Sequence, residues 1–173
     1  LIGSGGINTR EINKIYMKAL DKNIKFYDTA DEYGKGNSEI ILGKFIRNNK
    51  LSSKVKIASK IGQLIDFSPY KLQKSIDNSL KRLNIERLDI MYFHSGSNKQ
   101  FFNDNFWKIM NKNKSLGKIK HLGLSLKTKY LKNNDLEQLK YMDDYGIEVL
   151  NVANNIIFDY TKNIKKIKNI KNK

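Results

Sequence analysis

The 173-residue chain contains no cysteine, one proline and two histidines. Without cysteine there are no disulfides and no thiol chemistry, which is compatible with a reducing compartment, and the cytoplasm is the expected location. No apolar run approaches the ~18–20 residues of a membrane span, and no basic-then-apolar segment opens the chain as a secretory signal would. No G-x-G-x-x-G follows an early strand-like run. The turn Gly3-Ser4-Gly5-Gly6 lacks the Lys-Ser/Thr of a P-loop, so it reads as a loop near a substrate rather than a phosphate cradle. Acidic residues are also scarce: 17 Asp and Glu stand against 33 Lys and Arg, for a net charge of +16. That charge suits a polyanion-binding surface, or it reflects a composition rich in Lys, Asn and Ile. The cations are scattered without an interleaved aromatic platform, so no specific nucleic-acid partner is expected. Affinity that collapsed steeply with salt would mark the opposite case.

With 39% apolar and 29% charged residues, the chain has the balance of a globular domain. Five β-like runs recur: Ile24–Asp28, Val55–Ser59, Leu88–Phe93, His121–Ser125 and Ile147–Val152. Leu1-Ile2 hints at an opening strand. Between the runs lie amphipathic helical patterns over Arg10–Leu20, Ser38–Arg47, Ser68 to about Leu83, Phe101–Lys114 and Leu136–Tyr145. Ser68-Pro69 is a cap followed by proline at the first helical position, and Gly146 fits a helix stop. A spacing of ~30 residues between runs is that of one βα unit, and regular alternation implies a parallel sheet with helices packed outside it. A doubly wound open sheet and a (β/α)8 barrel compete for this pattern. The missing dinucleotide fingerprint weakens the first. Candidate active residues after several different strands favour the second. A full barrel needs ~250 residues, so the expected fold is an incomplete α/β TIM-type barrel with about six of eight βα units. It is expected over residues 1–160 and followed by a basic tail over 161–173.

Four of those candidates make a coherent acid–base site. Asp28 ends a β-like run, and Tyr33 follows five positions later, close enough for a loop to fold the phenol back over the strand end. Lys60 and His94 also fall at the ends of β-like runs. Taken singly, each has a plain structural role open to it: a turn carboxylate, a packed loop aromatic, one lysine among many, a loop histidine. His121, which starts a strand, reads as structural. Together they offer a specific chemistry. A phenol is a poor acid near neutrality, with a pKa of ~10. An adjacent ammonium favours the phenolate, a carboxylate holds the ammonium in place, and a neutral imidazole can orient a carbonyl. Such a site delivers a proton to a carbonyl that receives hydride from a cofactor, since no side chain supplies hydride. No metal-ligand set is read from the sequence.

The segment FYDTADEYGKGNSEIILGKFI (Phe26–Ile46) resembles the signature of the aldo-keto reductase family, with Asp28-Thr29-Ala30, Tyr33-Gly34, Ser38-Glu39 and Leu42-Gly43 in order. VKIASK (Val55–Lys60) and LDIMYFHS (Leu88–Ser95) are similar to the family's strands that end in the active-site lysine and histidine. The resemblance runs from about Leu1 to about Asn155. It implies a (β/α)8 barrel with NADPH, or NADH in its place, at the strand C-termini, and an aldehyde or ketone as substrate. It further implies Tyr33 as proton donor, Lys60 as the group that tunes it, Asp28 as the partner of Lys60, and His94 as the group that orients the carbonyl. Asp28, Ser125 and Asn151 would face the cofactor. Ser125 matches the Ser of the family's Gly-x-Ser-Asn, whereas Leu126 replaces its Asn. Asn151 stands for a Gln and keeps an amide with a shorter reach, and Asn154-Asn155 takes the place of a Tyr-Asn. The seventh and eighth units of the family carry most contacts to the rest of the cofactor. After Asn155 the chain reads IIFDYTKNIKKIKNIKNK, so a truncated barrel is expected. Its unpaired strand edges would associate with another chain, rearrange, or leave the protein marginally stable. Self-association through those edges is the expected assembly. The rival to an active reductase is a catalytically impaired paralogue that serves as a binding module or has no function.

Overall fold

A computed structural model describes residues 8–63, 66–133 and 135–153. Chain order is α1 (Thr9–Asp21), β1 (Phe26–Asp28), α2 (Asn37–Asn48), β2 (Lys56–Ile61), α3 (Pro69–Leu83), β3 (Leu88–His94), α4 (Asn98–Phe101), α5 (Asp104–Ser115), β4 (Ile119–Ser125), α6 (Thr128–Lys132), α7 (Glu137–Lys140) and β5 (Ile147–Asn151). The five strands form one sheet in the order β1-β2-β3-β4-β5, every pair parallel. Sequential order has no reversal point, so the sheet is part of a barrel wall and the doubly wound alternative falls away. The expected opening strand at Leu1-Ile2, the turn at Gly3–Gly6, Asn154-Asn155 and the basic tail lie outside the described residues.

Register divides the side chains between two faces, because parallel partners point the same way and neighbours along a strand alternate. Tyr27, Ile57, Ile61, Met91, Phe93 and Leu124 share the helix-covered face and are buried. Asp28, Ala58, Lys60, Tyr92, His94, Ser125 and Asn151 share the other. The hydrophobic core of the described residues lies between sheet and helices. Its aromatic centre, Phe93, Phe101, Phe106 and Trp107, packs largely edge to face, with centroids 5.0 to 6.0 Å apart.

Several local expectations are corrected. The helix read over Phe101–Lys114 is two helices. Asn103 caps the second through its Oδ1, which accepts from Phe106 N–H at 3.2 Å, and a Ser97–Gln100 capping box starts the first. The pattern over Leu136–Tyr145 yields only the short α7, because the chain then turns so that Tyr145 stacks on Trp107 at 5.1 Å and 17°. α6 was not foreseen. Asn8 caps α1 by accepting from Glu11 N–H at 3.0 Å. Lys60 lies inside β2 instead of just past it.

Gly43 on α2 sits against the end of α3. A Cβ there would lie 2.5 Å from the carbonyl oxygen of Leu83 and 2.6 Å from its carbon. Backbone cannot yield as a flexible side chain can, so the two helices would have to separate. Gly43→Ala should lower unfolding free energy in urea by about 1–3 kcal/mol, the usual cost of overpacking, despite the helix propensity gained, up to ~1 kcal/mol. Unchanged or raised stability would show that this contact does not set the α2–α3 spacing.

Candidate active site

β1 ends at Asp28, but the chain stays tied to β2 for three more residues. Thr29 N–H donates to Ala58 O at 2.9 Å and Asp31 N–H to Lys60 O at 3.1 Å. The loop then reverses through Gly34, Lys35 and Gly36, all with positive φ. Gly36 has a φ of 89°, the left-handed region that favours glycine, and lies close against the Arg82 side chain. Ser38 N–H donates back to Tyr33 O at 3.1 Å. Thr29 Oγ1 donates to Ser38 Oγ at 2.9 Å. Glu39 is completely buried, accepting from Ser59 Oγ and from Arg82 Nε, each at 2.6 Å. Ser38 and Glu39 thereby clamp the loop to β1, β2 and α3. The loop motif contains both residues, but nothing in it points to Arg82 as the partner, 43 positions away.

Lys60 is 3% exposed. Its ammonium has three protons, and three acceptors surround it: Asp28 Oδ1 in an ion pair, Thr29 O at 2.9 Å, and Tyr33 Oη at 3.4 Å. The cation also lies 4.9 Å from the centre of the Tyr33 ring. The ring of His94 meets that of Tyr33 edge to face, with centroids 5.8 Å apart at 78°. All four predicted residues therefore come together. Burial, reinforced by the Lys60 charge, pushes the His94 imidazole down to about 4, so it is neutral near pH 7. Its Nδ1 lies 3.8 Å from Glu32 Oε1, beyond hydrogen-bond distance. The position of Glu32 beside His94 was not legible in the sequence.

The row continues across the sheet. His94 pairs in register with Ser125, and Ser125 with Asn151. Ser95 Oγ donates to Ser125 O at 3.2 Å. Leu126 is buried in the core, so its position supplies packing and no polar group. His121 lies apart, on the surface beside Glu148 at 3.2 Å, in keeping with a structural role. The site thus joins a phenol, an ammonium, a neutral imidazole and a carboxylate, followed by a hydroxyl and an amide along the strand ends. Such a set can pass a proton to an oxygen placed between phenol and imidazole.

A model of the Aldo/keto reductase family matches residues 2–171. "Probable aldo-keto reductase 1" of Glycine max is 31% identical over 115 residues, 62% of this chain and 33% of that protein. "Aldo-keto reductase yakc [NADP(+)]" of Schizosaccharomyces pombe is 28% identical over 130 residues, 69% of this chain and 38% of that protein. Among solved structures, a glycerol dehydrogenase from Gluconobacter oxydans superposes with a TM-score of 0.77 at 24% identity, covering 96% of this chain and 54% of that one. An aldo-keto reductase from Klebsiella pneumoniae in complex with NADPH superposes with a TM-score of 0.63 at 19% identity, covering 86% and 59%. These two structures show the barrel fold. The chain spans well under half the length of the curated relatives it matches.

Two buried groups link stability to pH with opposite signs. The unfolded His94, with its ordinary value of 6.5, takes up a proton that the folded site refuses down to about 4. Its contribution is therefore whole above 6.5 and is lost as pH falls. Asp31 is pushed up from 3.8 to about 6 by burial first and then by Glu39, against a Ser75 hydrogen bond. Its contribution is whole below 3.8 and is lost as pH rises to about 6. Between about 4 and 6 the two oppose each other. Asp31→Asn should make stability fall more steeply on acidification from pH 6 to 4 than in the wild type, read from urea midpoints across that range. Parallel curves would refute the opposition.

Proposed function

The chain belongs to the aldo/keto reductase family, and we propose that it carries the site of a nicotinamide-dependent reduction of an aldehyde or ketone to the alcohol, with NADPH as the reductant. The observation that carries this reading is the ammonium of Lys60 held against both Asp28 and the Tyr33 hydroxyl in a buried position. The nicotinamide, when bound, supplies hydride to the carbonyl carbon. Tyr33 gives its hydroxyl proton to the carbonyl oxygen, and the Lys60 ammonium stabilises the phenolate left behind. Asp28 keeps that ammonium in place. His94, neutral near pH 7, donates a hydrogen bond that orients the carbonyl.

Ser125 and Asn151 fit the carboxamide end of such a cofactor. Their hydroxyl and amide stand side by side in register next to His94 and can both donate and accept. Leu126 makes no such contribution, and its burial favours a second reading, a chain that binds the cofactor poorly and acts as a binding module. Titrating NADPH and following its fluorescence separates the two, since the module reading predicts no saturable change. Self-association through the outer strands β1 and β5 of the described sheet is the assembly that goes with either reading.

Incubation with NADPH and a panel of aldehydes should oxidise the cofactor. Tyr33→Phe should lower kcat by about 10²- to 10⁴-fold, the range for a lost general acid, with KM little changed. Lys60→Met should depress the rate comparably. Equal turnover by Tyr33→Phe would remove the phenol from the mechanism.

A further inference from the structure

The loop that carries Tyr33 brings a second set of groups to His94. Asp31, Glu32 and His94 each present one ligand atom within 4.8 Å of the other two. His94 is 7% exposed. Its Nδ1, Glu32 Oε1 and Asp31 Oδ1 are all buried atoms without a hydrogen-bond partner among the described residues. Buried polar atoms in native proteins are nearly always satisfied, and three orphans on one cluster call for one ligand that accepts lone pairs from all of them.

A cation meets that requirement best. A water has two protons for three acceptors. Lys60 has no proton free, because Asp28, Thr29 and Tyr33 take all three. Two carboxylates supply two negative charges, matching a divalent ion. The mixed imidazole and carboxylate set suits first-row transition ions more than Mg²⁺ or Ca²⁺, which favour all-oxygen shells. Zinc binds these ligands at about 2.0–2.2 Å, so tetrahedral neighbours stand about 3.3 Å apart. The 3.8 Å between His94 Nδ1 and Glu32 Oε1 needs to close by about half an ångström. Asp31 is already oriented: Ser75 Oγ donates to its Oδ2 at 3.2 Å, leaving Oδ1 free, as outer-shell partners of metal ligands do.

We propose that Asp31, Glu32 and His94 form a binding site for a divalent first-row transition ion, zinc being the closest match, with one ligand atom from each and a remaining position for water. Coordination through Nδ1 would leave the imidazole proton on Nε2 and fix one tautomer beside Tyr33. The site is independent of the reductase reading, because binding is measured without substrate or cofactor.

Zn²⁺ titrated calorimetrically into the chelator-stripped chain should bind at one equivalent, and Co²⁺ should give visible absorption bands at the same stoichiometry. Asp31→Asn and Glu32→Gln should each weaken binding by about 10- to 100-fold or more while keeping the wild-type circular dichroism, and His121→Gln should not weaken it. Absence of stoichiometric binding would overturn the proposal. So would full-strength binding by both loop variants, or loss of binding only in His121→Gln, which would place the ion at the His121–Glu148 pair on the surface.

Discussion

The buried ammonium of Lys60 is the constraint on which the rest of the site depends. A charge at 3% exposure is sustainable only when paired and fully hydrogen-bonded. Its partners come from three different points of the chain: the end of β1, the first peptide after it, and the phenol beyond the turn. Satisfying one cation therefore fixes the course of the loop from Asp28 to Tyr33. The same three bonds leave the ammonium without a free proton, so whatever else enters the site must be held by other groups.

A second buried ion pair supports the first from the opposite side of the sheet. Ser59 and Lys60 are neighbours on β2 and point to opposite faces. Ser59 donates to Glu39, which also takes Arg82 from α3. One strand thereby ties the helical layer to the loop through residue 59 and the loop to the site through residue 60. Breaking either partner of the Glu39–Arg82 pair would strand a buried charge, and the loss would reach Tyr33 through Ser38, whose N–H holds the Tyr33 carbonyl. The loop geometry is thus over-determined, as preorganisation for proton transfer requires.

Legibility in the sequence followed the range of the interactions. Strands β2, β3 and β4 are buried along most of their length, and all five strands were visible as β-like runs, with their ends displaced by at most two residues. Asp28, Tyr33, Lys60 and His94 were legible because strand ends in a barrel converge on one face. The break before α5 was missed because Asn103 spends its side chain on a cap, which an apolar period does not register. The Glu39–Arg82 pair and the approach of Glu32 to His94 were invisible for a different reason. Both join positions far apart in sequence, and their pairing depends on how β2 and β3 advance relative to β1.

That advance also explains why the site is uneven. Asp28 pairs in register with Ala58, and Lys60 lies two residues further on. Lys60 pairs with Tyr92, and His94 again lies two residues further on. From His94 to Ser125 to Asn151 there is no further step. The stepped half rises along the barrel wall and leaves room for the Asp28–Tyr33 loop to fold over it, enclosing Lys60 and His94. The level half continues the same face through Ser125 and Asn151, whose hydroxyl and amide lie side by side in register. The Tyr33 phenol is half-buried over a fully buried ammonium, and a hydroxyl and an amide follow it along the strand ends. Leu126, next along the chain from Ser125, packs into the core instead of joining that row.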